Sequence, residues 1–456
     1  MTDLRSVAVV GLGINNRPLV PYWLERGAFV IAADRRPVTE IEAELAPWKG
    51  PRLKIVAGAD YLSQLSECTE IEAAYLTPGM VKDSPELKRL AAKGVRLTSE
   101  TDLFLSRCPV PVLGITGSAG KTTTTTLIGQ ALARSGVDVA VGGNIGRPLL
   151  PELDTFRPPM WVVMELSSFQ LDLVEHSPHG AVWLNLRPNH LDIHGTMEAY
   201  ARAKRHILEF QNQERDWAVV PWNDPRVLSV AGQLGGRRYY VRLDGPVPLG
   251  AYLDGGHLWW RPETTHPAER VVAAEAVRLR GTHNLFNLLA ATAAVLMAGG
   301  SLEAVREIAQ TFRGVPHRLE SVRELAGVTY INDSIATAPD RTLAALKAVE
   351  GPIVLIAGGY DKHLDYGEFG EMVATSRVRS VVLIGQTAEK IESALRTAKA
   401  ACSVYRAADL EEAVRTAREW AQPGDTVLLS PASASYDMFT NFEERGQRFR
   451  EIVGSL

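Results

Sequence analysis

Short apolar runs rich in β-branched residues recur along the chain. VAVVG, AFVIAAD, LKIVAG and AAYLTPG come first, then VLGITG, WVVMEL, AVWLNL and WAVVPW, then VTYIND, PIVLIAGG, VVLIG and TVLLSP. Between them lie segments of helical length, such as ELKRLAAKG, MEAYARAKRHILEF and LEAVREIAQTF. Apolar runs without alternation are strands covered on both faces, and helices between them imply βαβ units with parallel sheets. From about 235 to 281 the pattern changes to RRYYVRL, GAYLDGGHLWWR and RVVAAEAVRLRG, which predicts a small antiparallel appendage. The predicted fold class is α/β with three consecutive domains and mostly parallel sheets. The first and last are Rossmann-like and the central one is of the P-loop type. Boundaries are expected near Leu97–Glu100 and Arg313–Pro316, giving segments 1–98, 99–314 and 315–456.

Composition narrows the function without choosing it. A net charge of −4 leaves no basic footprint for nucleic acid, and pairs such as Arg35-Arg36 read as solvated faces or small anion sites. Cys68, Cys108 and Cys402 are too few and too far apart for a disulfide framework, which fits a reducing cytoplasm. The start MTDLRSVAVVGLG lacks the pattern of an export signal, and LLAATAAVLMAGG reads as a buried helix rather than a membrane span. A soluble cytoplasmic protein, with no nucleic-acid or membrane partner, is expected.

In open α/β sheets ligands sit beyond the carboxyl ends of the strands, so the chemistry is sought where these runs stop. After VAVVG come Gly11, Gly13 and Asn16, with Asp34 closing the next strand. This is a dinucleotide-type turn without its third glycine, and NAD binding by an oxidoreductase stays open at this point. Thr77-Pro78-Gly79 ends a later strand, as a second set of backbone donors or simply a type II turn. After VLGI comes Thr116-Gly117-Ser118-Ala119-Gly120-Lys121-Thr122-Thr123, a phosphate loop two residues shorter between its glycines than the usual pattern. Its glycines free the backbone to wrap phosphates, Lys121 reaches the β and γ oxygens, and the Thr122 hydroxyl can ligate Mg²⁺. Glu165 at the end of WVVMEL can complete that metal's shell, and AVWLNLRPNHLDIHG offers His190, Asp192 and His194. Lys204 falls on the helix that follows. Beside a divalent cation an ammonium is repelled, so Lys204 is either a phosphate contact or an anionic carbamate.

TGSAGKTT, GGNIG, ELSSFQL, NHLDIHGTMEAYARAKRHI and GTHNLFNLLAA, in this order, resemble the Mur ligase family over nearly the whole chain. The resemblance implies an ATP-dependent ligase that phosphorylates a terminal carboxylate and lets an amine attack the acyl phosphate. GGNIG followed by ELSSFQL is most similar to the branch that adds glutamate to UDP-N-acetylmuramoyl-L-alanine, so these two substrates, ATP and two Mg²⁺ ions are implied, with the protein acting as a monomer. Position by position, Lys121, Thr122, Glu165 and His190 match the phosphate and metal residues, Lys204 matches a carbamylated lysine, and Asn144 matches a residue beside the acyl phosphate. Asn284 and Asn287 match adenine contacts, although Asn284 also reads as a helix cap. Arg318 and Asp333 match residues on the ATP phosphates and ribose, reached by closure of the last domain. Gly13, Ile14, Asn15 and Asp34 match the uridine and pyrophosphate site. Lys362, Ser435 and Phe442 match the pocket for the incoming glutamate.

One departure stands out. The family's N-D-S-K-A-T reads Asn332-Asp333-Ser334-Ile335-Ala336-Thr337 here. A cation is lost from an anion pocket, which leaves the choice between D- and L-glutamate open. Arg341 is the next basic residue along the chain.

Overall fold

The computed structural model describes residues 4–144, 148–231, 236–279, 281–362 and 364–456, and the Asp192 side chain also lies outside this description. By its internal contacts the chain divides into two compact units, Met1–Phe312 and Arg313–Leu456.

The first unit holds two sheets. The strands β1 (Ser6–Val10), β2 (Phe29–Asp34), β3 (Leu53–Ala57), β4 (Ala73–Leu76) and β5 (Arg96–Thr98) are all parallel, in the order β3-β2-β1-β4-β5. The strand order reverses between β1 and β4, so the loops after these two strands open a crevice. The second sheet contains β6 (Val112–Thr116), β7 (Val139–Gly143), β8 (Trp161–Glu165), β9 (Gly180–Trp183), β10 (Trp217–Pro221), β11 (Arg237–Arg242), β12 (Gly250–Asp254), β13 (His257–Arg261) and β14 (Glu269–Ala273). Its order is β14-β13-β12-β11-β10-β9-β6-β8-β7. The expected appendage is a continuation of this sheet. β11 and β12 still pair in parallel, and only β13 and β14 run antiparallel at the edge. One apolar core runs beneath both sheets, joining Val9 and Trp23 to Phe104, Phe156, Val162 and Trp183.

The second unit contains β15 (Glu320–Leu325), β16 (Val328–Asn332), β17 (Ile353–Gly358), β18 (Val378–Ile384), β19 (Ser403–Arg406) and β20 (Thr426–Leu429). They lie in the order β15-β16-β20-β17-β18-β19, parallel except for β15. β16, β20 and β17 are neighbours, so residues 333–341, 430–437 and 359–362 share one sheet edge. Several helix starts are fixed by Ser, Thr, Asp or Asn caps, including Ser99, Thr196, Ser301, Asp409 and Asn441, each accepting the backbone N–H three residues on.

Candidate active site

The glycine loop sits where the strand order makes room for it. β6 lies between β8 and β9, so the loop after β6 is flanked by the ends of both neighbours. Gly120 has φ +86° and caps the helix Lys121–Arg134. A Cβ there would stand 2.4 Å from Asn287 Oδ1 and 3.2 Å from Leu184 Cδ1. Only glycine fits. Asn185 clamps the loop from β9: the Ala119 N–H donates to its Oδ1 (3.0 Å), and its Nδ2 donates to the Ala119 carbonyl (3.1 Å). Ser118 donates to the Arg187 carbonyl (2.9 Å) and lies 3.0 Å from the Tyr200 hydroxyl. The Lys121 ammonium folds back to donate to the Gly117 carbonyl (3.0 Å). Thr122 is buried in the first turn of the helix and Thr123 lies beside it.

Behind the loop stand Glu165 and Lys204. Glu165 is 2% exposed at the end of β8; its Oε1 accepts from Asn144 Nδ2 (2.8 Å), whereas its Oε2 is buried with no hydrogen-bond partner among the described residues. Asn144 is fixed in turn by its N–H to the Glu165 carbonyl (2.8 Å). Gly146, at the end of the GGNIG motif, lies outside the described residues. Lys204 is 1% exposed on the helix Met197–Glu209, and its Nζ donates to Thr116 Oγ1 (3.1 Å) and the Gly117 carbonyl (3.0 Å). Burial, then the charge of Lys121, push its pKa well below that of a free lysine, and Glu165 offsets this only in part. Its ammonium form is thus disfavoured at a place where, among the described residues, a carboxylate oxygen stands without a donor. That oxygen is a vacant acceptor of the kind a divalent cation takes, so the donor set suits Mg²⁺. Among the described residues no group of three or more His, Cys, Asp or Glu side chains is gathered as a ready-made metal site.

His190 approaches through Phe169. It has φ +55° and caps the short turn Leu191–His194, with its ring 5.0 Å from that of Phe169. His194 stacks on the same ring at 5.0 Å, and its Nε2 lies 3.0 Å from Ser168 Oγ. A histidine held in the left-handed region at a site edge is a strained residue placed for its side chain. Asn287 is buried and donates to Asn284 Oδ1 (3.2 Å); with Gly120, Asn185, His283 and Phe286 it lines a cavity of about 410 Å³ beside the loop. Gly281, not Asn284, caps this helix, so the cap reading of Asn284 fails.

A second cavity, of about 460 Å³, opens at the strand-order reversal of the first sheet and is lined by Gly11, Gly13, Asp34, Arg36, Tyr61 and Thr77 to Met80. Asn16 stands where a third glycine was expected; it is wholly buried and donates to the Val10 (3.2 Å) and Tyr75 (3.1 Å) carbonyls, tying the turn to both strands. Asp34 accepts from the Leu12 N–H (2.7 Å) and from Arg36. Burial alone raises its pKa, but these hydrogen bonds outweigh it and hold the carboxyl below its usual range. Asp34 thus fixes the loop, and Arg35 and Arg36 bring positive charge to the rim. Ile14 is 64% exposed and Asn15 half-buried next to this opening. Thr77–Met80 is a type II turn, with Met80 N–H to the Thr77 carbonyl (3.2 Å) and Gly79 at φ +82°. The turn reading and the lining of a cavity hold together.

In the second unit Asp333 accepts from the Leu319 N–H (3.2 Å) and Ser430 Oγ (2.8 Å), and burial pushes its carboxyl up to about 6. Arg318 acts on it electrostatically. Ser435 is buried, Phe442 opens the helix Phe442–Ser455, and Lys362 lies exposed after β17 with its ammonium 5.6 Å from the Tyr436 ring centroid. Ile335 is half-buried and supplies no charge. Arg445 was not singled out by the sequence; it is completely buried and binds the loops around it.

A strand, a glycine turn and a helix with a lysine and a threonine at its start, backed by a strand-end carboxylate, define a nucleotide-using α/β enzyme. The family model of the Mur ligase middle domain matches residues 115–295, and that of the Mur ligase glutamate ligase domain matches 317–433. A UDP-N-acetylmuramoylalanine–D-glutamate ligase of Symbiobacterium thermophilum is 45% identical over 451 residues, covering 98% of each chain. One of Acetivibrio thermocellus is 41% identical over 458 residues, covering 99% of this chain and 97% of the other. Solved structures of a murein peptide ligase from Psychrobacter arcticus (TM-score 0.52, 16% identity, 99% of both chains) and a UDP-N-acetylmuramate–alanine ligase from Thermotoga maritima (TM-score 0.50, 20% identity, 99% of both) share the fold. The chain belongs to the Mur ligase family of ATP-dependent amide-bond ligases.

Proposed function

We propose that this protein joins D-glutamate to UDP-N-acetylmuramoyl-L-alanine with ATP, releasing ADP and phosphate, in the cytoplasmic synthesis of peptidoglycan precursors. The observation that carries the chemistry is the cluster behind the glycine loop: the buried Lys204, Lys121 and a Glu165 oxygen without a donor among the described residues. The choice of substrates rests on what the full-length relatives are named for.

The reaction needs a poor electrophile made reactive while negative charges crowd together. The γ-phosphoryl group passes to the substrate carboxylate as ADP leaves; the glutamate amine then attacks the carbonyl carbon, loses a proton, and phosphate departs as the amide forms. Lys121 and the N–H groups of Gly117 to Thr123 hold the phosphates through this charge shift. Mg²⁺, when bound, neutralises phosphate charge; Thr122 and Glu165 are assigned to one ion, and His190 with Lys204 to a second. For that role the Lys204 amine adds to CO₂, forming an N–C bond and releasing a proton, which turns a neutral ligand into an anionic carbamate. Asn144 holds Glu165 beside the acyl group. Asn284 and Asn287 are assigned to adenine, Arg318 and Asp333 to the phosphates and ribose. Gly13, Ile14, Asn15, Asp34 and Thr77-Pro78-Gly79 are assigned to the UDP moiety, and Lys362, Ser435 and Phe442 to glutamate. The working division follows: 1–98 for the UDP substrate, 99–314 for ATP, 315–456 for the amino acid, in a monomer.

ADP release measured with each substrate omitted in turn tests this. The reading requires ATP, Mg²⁺, UDP-N-acetylmuramoyl-L-alanine and D-glutamate together, with L-glutamate ineffective. ADP release that ignores the amino acid, or prefers the L enantiomer, rejects it.

A further inference from the structure

Three cations gather at the carboxyl edge of β16, β20 and β17; among the described residues no carboxylate is hydrogen-bonded to any of them, and Asp437 acts on Arg445 only electrostatically. Arg445 donates only to neutral oxygens, the Ser334 carbonyl (2.9 Å) and hydroxyl (3.0 Å) and the Ser433 and Ala434 carbonyls (3.1 Å each). It presses against Gly359, where a Cβ would fall 3.1 Å from its Nη1. Lys362 lies three residues beyond Gly359 and faces the Tyr436 ring, and Tyr436 packs edge-on against Tyr360 at 5.8 Å. Arg341 stands in the first turn of the helix Pro339–Ala348, and among the described residues its side chain makes no ion pair or hydrogen bond. Burial, then the charges of Arg341 and Arg445, hold the Lys362 ammonium below its usual range, so both arginines lie within electrostatic reach of Lys362.

A cation in a first helical turn opposes the helix dipole. Arg341 acts electrostatically on Asp333, whose carboxylate is already hydrogen-bonded by Ser430 and the Leu319 N–H. Its position is nevertheless fixed. The next residue, Thr342, is wholly buried and donates to the Ser430 carbonyl (3.2 Å), and Ser430 also binds Asp333 (2.8 Å), so this turn is locked to the end of β20. Like charges held together in a crevice stand ready for an anion with more than one charged group.

We infer that Arg341 is a specificity-determining residue that pairs with one carboxylate of the dicarboxylic amino acid while Lys362 holds the other. The inference rests on the ligase reading above. In this chain it supplies from a helix start the cation that Ile335 lacks.

Steady-state ligation by the full-length protein, with D-glutamate and ATP varied separately, tests it on Arg341→Ala and Arg341→Lys. Losing a charge-assisted hydrogen bond raises the glutamate KM roughly 10- to 100-fold in Arg341→Ala, with the ATP KM and the unfolding temperature unmoved. Arg341→Lys keeps the charge and recovers most of the loss. A wild-type protein that ligates glutamate while Arg341→Ala keeps its glutamate KM, or raises the ATP KM instead, overturns the assignment alone. A wild type that forms no amide with glutamate overturns the ligase reading and this inference together.

Discussion

Gly120 offers the sharpest test of how the loop meets the cavity proposed for adenine. In Gly120→Ala the new residue keeps φ near +86°, which costs an L-residue about 1–2 kcal/mol. The added Cβ also falls 2.4 Å from Asn287 Oδ1, against about 3.5 Å for a comfortable contact, so loop and Asn287 part by about 1 Å. Asn287 is buried and tied to Asn284, so the displacement reaches both residues proposed to contact adenine. A misplacement of that size lowers nucleotide affinity by roughly 10- to 100-fold. Gly136 isolates the backbone contribution: its φ is +76°, and a Cβ there meets nothing within 4 Å. Titration calorimetry with ADP, alongside denaturant unfolding, separates the two effects. Both alanine variants lose comparable stability, and only Gly120→Ala loses affinity. If Gly120→Ala binds ADP as tightly as Gly136→Ala does, the close approach of loop and Asn287 has no functional weight.

Three further outcomes are expected. Glu165→Gln removes the anionic oxygen that has no donor, so ADP release in the full reaction falls at least about 100-fold and needs more Mg²⁺; an unchanged Mg²⁺ dependence refutes the role. Lys204→Ala abolishes ligation, and short carboxylates such as acetate restore part of it by replacing the carbamate; full activity without added acid refutes carbamylation. Glu100 is 6% exposed, and burial pushes its carboxyl from 4.5 to about 7, so the folded state keeps a proton the unfolded chain has lost. Its contribution to stability therefore fades as pH rises from 4.5 through 7, by up to about 3 kcal/mol at pH 8. Urea unfolding of Glu100→Gln checks this: its advantage over wild type is larger at pH 8 than at pH 5, and equal differences reject the burial argument.

Residues whose chemistry is stated by their neighbours in sequence were legible beforehand. Lys121 and Thr122 follow two glycines at the end of a strand, and Glu165 ends an apolar run, so strand-end logic found them. Asn185 and Arg445 were not legible as site residues, because each works through bonds to loops far away in sequence. Asn185 clamps Ala119, 66 positions away, and Arg445 binds Ser334, 111 positions away. Among the strands, β7 and β19 escaped notice because edge strands are short and half-exposed, so they lack the continuous apolar run of β6 or β17. The appendage was misjudged for a related reason. Alternation in RRYYVRL marks a strand with one wet face, yet β11 still pairs in parallel on both sides.

The electrostatics of the central site follow from one geometric fact. Lys204 is held by Thr116 and Gly117 at a depth that disfavours its ammonium, and the charge of Lys121 disfavours it further. Glu165 adds a negative charge to the same place, with one oxygen satisfied by Asn144 and the other by nothing. A polyanion brought against this carboxylate is opposed unless cations arrive with it. Divalent metal therefore favours a nucleotide at this loop, and among the described residues no closed metal cage is built. Lys121→Ala, which removes a positive charge from the loop, then costs more than the loss of a single hydrogen bond.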